Sequence, residues 1–157
     1  MFTYQEELPV ELTRGLERLV NEHEVIRADI IKVEKLIREL KDRGTPEFHD
    51  ILNLKCQTDA LAESLQIHVN WEAKVLYPLL QDAAARAHNP LAMTSVWMRE
   101  NDYPGSTYIR LFWGQMSVYL DDHAPGLFEK GLIYLQKACR LTWEQLELEE
   151  EILGALT

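Results

Sequence analysis

The stretch Leu65–Leu80, LQIHVNWEAKVLYPLL, decides how the rest of this chain is read. Counted from His68, Leu61 lies seven residues before, Leu65 three before, Trp71 three after, Val75 seven after and Leu76 eight after. These are the three- and four-residue steps of one helical face, and Glu72 falls one turn beyond His68 on the same face. A helix that buries this face must bury an imidazole and a carboxylate with it. An unpaired carboxylate is costly to bury, so the face needs a countercharge.

Outward from this stretch, Pro and Gly cut the chain at Pro9, at RGTP (43–46), at HNP (88–90) and at HAPG (123–126). The segments between them carry the helical period, and the alternation of a strand is missing throughout. The spacing predicts helices over about 9–42, 46–82, 90–121 and 125–155, each roughly 30 residues or about 45 Å long. Short turns join the first to the second and the third to the fourth, which gives two antiparallel hairpins. The predicted fold is all-α, an up-down-up-down four-helix bundle forming one domain over residues 1–157. Pro104-Gly105 falls inside the third segment and is expected to kink it.

The other stripes repeat the pattern. His23 is flanked by Leu16, Leu19, Val20, Ile26 and Ile30 at −7, −4, −3, +3 and +7. Gln145 has Ala138, Leu141, Thr142, Leu148 and Ile152 at the same offsets, with Glu149 at +4 as Glu72 is to His68. Aligning Glu22-His23 with Glu100-Asn101 sets Gln145 opposite His68 and Glu149 opposite Glu72, a two-hairpin pseudo-repeat. One inward histidine is ordinarily a core residue with a hydrogen-bonding neighbour. Two histidines and two glutamates on inward faces point instead to a cation as the countercharge.

Composition narrows the partners. Sixteen Lys and Arg against 26 Asp and Glu leave a net charge of −10, which disfavours nucleic acid and anionic membrane surfaces. No apolar run is long enough to span a bilayer, and MFTYQEELPVEL lacks the basic and apolar regions of a secretory signal. Cys56 and Cys139 form no short-spaced motif and are expected as free, buried thiols in a reducing cytoplasm. His49, His123 and His88 are expected near helix ends or in turns, and the Trp and Tyr residues in the core and at its boundary.

Two motifs resemble those of the hemerythrin-like, or HHE cation-binding, domains: EHEVIR over residues 22–27, and His68-x-x-x-Glu72 running into Tyr77-Pro78-Leu79-Leu80. The resemblance covers nearly the whole chain. It implies an up-down four-helix bundle around a non-haem di-iron centre, with oxygen binding, nitric oxide response, or iron storage or sensing as the function, and one or two iron ions are expected in this chain. Position by position it implies His23, His68 and Glu72 as ligands, with Glu149 retained in the fourth helix. The third helix departs from the family, offering Asn101 where the apolar spacing is followed, or Asp102 where Gly105 sets the register. The fourth has Gln145 in place of histidine. Amides are poor iron ligands, and this leaves a second reading, a metal-free helical module for interaction or homodimerisation. A ferritin-like di-iron enzyme is disfavoured because its paired Glu-x-x-His motifs are missing. Hydrolases and nucleotide enzymes are disfavoured because no nucleophile elbow, phosphate loop or zinc-finger spacing occurs.

Overall fold

The computed structural model describes residues 9–87 and 103–154, and among these every regular element is helical. Helix α1 runs Val10–Arg43, entered from an extended Pro9 and ended at Gly44, whose φ of 82° opens the turn. Helix α2, Phe48–Trp71, begins at a reciprocal cap in which Glu47 accepts from the backbone of Asp50 and donates its own N–H to the Asp50 side chain. A π-helical turn, Glu72–Leu76, carries the same rod into α3, Tyr77–Ala87. Helix α4 is Pro104–Asp122 and α5 is Pro125–Gly154, with His123 at φ 52° turning the chain between them.

The widened turn has a local cause. Pro78 has no N–H for the carbonyl four residues back, and its ring crowds that carbonyl. The helix relaxes just before it, with Tyr77 donating to the carbonyl of Glu72, five residues away. Glu72 therefore opens a turn of wider bore than the helix carrying His68. Spacing alone gives no hint of this turn.

Side-chain contacts fix how neighbouring rods run. His68 with Glu22, Ser64 with Asp29, and Asp50 with Arg43 set α1 and α2 antiparallel. Arg27 with Glu150 and Lys41 with Gln136 do the same for α1 and α5. The close approaches of Gly105 to Thr142 and of Gly131 to Met116 set α4 against α5. Among the described residues the interior holds two apolar clusters. One, with Ile26, Ile30, Leu61, Leu65, Phe112 and Leu146, fills most of the bundle, and a smaller one gathers Leu12, Leu19, Trp71, Leu76, Leu80 and Leu153. Between them along α1, α2 and α5 lies a polar layer: His23 follows Leu19 and precedes Ile26, His68 follows Leu65, and Glu149 sits between Leu146 and Leu153.

Several expectations need correcting. Val20 (46% exposed), Val75 (43%) and Leu148 (38%) do not belong to the buried faces. In α1 the buried positions 12, 15, 19, 23, 26, 30, 33, 37 and 40 follow a seam of three- and four-residue steps that alternate except for two successive fours leading to His23. That seam is narrower than an amphipathic stripe, and it excludes Val20. Pro104 does not kink a helix: it is the first residue of α4, where its missing N–H costs no hydrogen bond. Residues 90–102 of the expected third helix lie outside the described residues, as does His88. Cys139 is buried but Cys56 is exposed. No helix among the described residues is long and apolar enough to cross a membrane.

Candidate metal centre

The polar layer brings four of the residues singled out by the sequence into one place. His23, His68 and Glu72 are fully buried and Glu149 is 1% exposed. His23 Nε2 lies 3.1 Å from His68 Nε2 and 3.0 Å from Glu149 Oε2. His68 Nε2 is 3.0 Å from Glu72 Oε1 and 3.6 Å from Glu149 Oε2. One donor atom each from His23, His68 and Glu149 falls within 4.8 Å of the others.

The far side of each imidazole is equally defined. His68 Nδ1 meets Glu22 Oε1 at 3.1 Å, and Arg18 Nε donates to the other Glu22 oxygen at 2.8 Å. His23 Nδ1 meets Glu150 Oε1 at 3.1 Å, and Arg27 grips Glu150 through both guanidinium nitrogens, which holds that carboxyl below its usual pKa. Each arginine also lies over a tryptophan, Arg18 over Trp71 at 4.8 Å and Arg27 over Trp143 at 5.3 Å. Because an ionised carboxylate only accepts, each Nδ1 must carry its hydrogen. In the neutral imidazole each Nε2 then presents a lone pair to the interior.

Two tyrosines close the layer. Tyr77 donates to Glu72 Oε2 at 3.2 Å. Tyr103, just before α4, places its hydroxyl 3.0 Å from Glu72 Oε1 and against Glu149 Oε1. A phenol has one hydrogen, so only one of these contacts can be donated by Tyr103. Burial pushes the Glu72 carboxyl up, and the charge of Glu149 adds to this against the hydrogen bond from His68. Glu149 is raised by burial too, but hydrogen bonds from His23, His68 and Tyr103 override that and hold it down to about 2. The consistent proton order has Glu72 donating to the Tyr103 oxygen and Tyr103 donating to Glu149. Burial pulls His68 down, yet its hydrogen bonds to Glu149 and Glu72 win and raise it to about 10. Without a cation, the layer is held together by protons.

The donor set fits a metal ion. Two imidazole nitrogens and the Glu149 carboxylate converge, with Glu72 against His68 beside them, and each imidazole is backed by a carboxylate, the outer arrangement that orients metal-bound histidine. An ion there takes the place of the protons on His68 and Glu72 and accepts both Nε2 lone pairs.

The remaining sequence candidates divide. Gln145 is buried one turn before Glu149, but its Nε2 has no hydrogen-bond partner among the described residues, and it makes no recorded bond to the cluster. Asn101 and Asp102 lie outside the described residues. Glu22, Glu150, Arg18, Arg27, Tyr77 and Tyr103 were not anticipated as site residues. The clue to Glu22, Arg18 and Arg27 was spacing: Arg18 and Glu22 are four apart, as are His23 and Arg27. Glu150 is 29% exposed at its side chain and reaches inward with its carboxylate. Tyr103, read as core or boundary, is a member of the site. Comparison of the chain with family models, with curated proteins and with solved structures finds no match.

Proposed function

We propose that this chain is a hemerythrin-like protein, an up-down-up-down bundle that binds non-haem iron in its buried polar layer and serves oxygen, nitric oxide or iron handling. The carrying observation is the pair of imidazoles whose Nδ1 atoms are tied to Glu22 and Glu150 while their Nε2 atoms converge with Glu149, with Glu72 meeting His68 Nε2 beside them. A core histidine needs one satisfied nitrogen. Two histidines oriented alike, with carboxylates on both sides, have the form of a ligand set. The hemerythrin-like motifs around His23 and His68 favour iron over other ions of similar donor preference. Iron bound there would supply redox and Lewis-acid chemistry. His23, His68, Glu72 and Glu149 would hold it, while Glu22 and Glu150 fix the imidazole planes.

A second reading, a metal-free bundle acting as an interaction or dimerisation module, is favoured by one observation. Tyr103, Glu72, Glu149 and His68 already satisfy one another through shared protons. Metal analysis and an absorption spectrum of protein purified without added metal separate the two. Iron binding requires iron that falls sharply in His68→Ala while circular dichroism stays helical. A chain that stays empty after anaerobic iron loading, or an unchanged iron content in His68→Ala, refutes the proposed site.

A further inference from the structure

The residue just before α4 brings into the polar layer a side chain that the sequence pattern did not nominate. Tyr103 is 5% exposed, with its ring edge-on to His68 at 6.1 Å between centroids. Its hydroxyl sits between the Oε1 atoms of Glu72 and Glu149, which belong to different rods. Gly105 permits this depth. A Cβ there would meet Thr142 Oγ1 at 2.0 Å and the Ala138 carbonyl at 3.0 Å, so the start of α4 lies closer to α5 than any side chain allows.

Charge determines what such an oxygen can do. The outer carboxylates are already balanced, Glu22 by Arg18 and Glu150 by Arg27. The inner pair, Glu72 and Glu149, brings two negative charges to a buried site, and ligating imidazoles add none. Two charges balance a divalent ion. A trivalent ion in the same dry surroundings needs a third anionic donor, because uncompensated buried charge is costly.

We propose that Tyr103, at the entry to α4, is a ligand of this layer, bound as phenolate, and that the site is built for a single ferric ion. This rests on the metal-binding reading above. Ligation breaks the phenol O–H heterolytically: the oxygen keeps the electron pair for the cation, and the proton passes to solvent. No electron moves when the iron is supplied as iron(III). Anionic oxygen donors suit hard cations, so Tyr103 tilts the site from iron(II) towards iron(III).

The test uses the full chain, stripped of metal and given one equivalent of iron(III) nitrilotriacetate. Expected are a phenolate-to-iron(III) charge-transfer band in the visible and resonance-enhanced phenolate ring modes that shift when the protein is grown on ring-deuterated tyrosine. In Tyr103→Phe the band is lost and iron(III) affinity falls at least about tenfold, whereas cobalt(II) affinity changes much less. Tyr77→Phe, the other tyrosine on Glu72, keeps the band. Bound iron(III) without the band, or a band that survives in Tyr103→Phe, overturns the phenolate assignment and leaves metal binding standing. A wild-type chain that takes up cobalt(II) or iron(II) but no iron(III) overturns the ferric assignment alone, and one that takes up none of the three overturns both. If Tyr103→Phe does not fold, wild-type ring modes that fail to shift on deuteration overturn the assignment, and loss of the band in Tyr77→Phe does so as well.

Discussion

Raising the pH should destabilise the metal-free protein, and His68 sets the size of the effect. Its folded pKa is raised from 6.5 to about 10 by hydrogen bonds to Glu149 and Glu72 that outweigh burial. The folded chain therefore keeps a proton that the unfolded chain releases. The stabilisation is complete below about pH 6.5 and lost as the pH climbs through about 10. At about 1.4 kcal/mol per pKa unit the shift has a ceiling of about 5 kcal/mol. The same contacts hold Glu149 at about 2, so its share is not counted again; it is lost separately as the pH falls below about 4.5 towards 2. Glu72, raised by burial, titrates with His68 as a coupled pair; discounted for solvent screening, the alkaline loss is about 2–5 kcal/mol. For a chain of this size that is a fall of about 5–15 °C in melting temperature. The assay is thermal melting by far-ultraviolet circular dichroism, with His68→Gln as reference because it keeps a polar side chain and lacks the titration. Wild type should lose stability relative to the reference, and bound iron, which keeps both imidazoles neutral, should remove the slope. Parallel melting curves for wild type and His68→Gln between about pH 7 and 10 would refute the proton-bound layer.

Three further outcomes follow from packing and the outer contacts. Arg27→Met frees Glu150 and loosens His23, so iron affinity measured against a competing chelator should drop about 10–100-fold with helicity unchanged. Gly105→Ala should cost about 1–3 kcal/mol in urea denaturation because Thr142 and a backbone carbonyl block the new methyl; Gly131→Ala should be near neutral, since it meets only the movable tip of Met116 and gains helix propensity. Alkylation of the native protein followed by mass spectrometry should modify Cys56 alone, because Cys139 is buried and its thiol is pushed up to about 12.

The sequence by itself determined the helices and the inward residues on three of them. Period and breakers placed α1 and α5 within a residue or so of their observed ends, because chain-local hydrogen bonding and the burial of one face are written in the spacing. The same spacing put His23, His68, Glu72 and Glu149 on buried faces, and the cost of burying them marked them as a group. Only the tertiary structure decided what surrounds them. Glu150 reads from its own helix as one more exposed acid, and it becomes the partner of His23 because α5 packs antiparallel to α1 at that height. Tyr103 reads as a core aromatic, and its hydroxyl acquires a role through two carboxylates that are 31 and 46 residues away in the chain. The narrow seam of α1 also came from the packed rods, whereas the relaxed turn at Glu72 has its cause within the chain, at Pro78. Periodicity says which way a side chain points. What it meets there depends on the height and direction at which other helices cross, and those are set by long-range packing that no local pattern encodes.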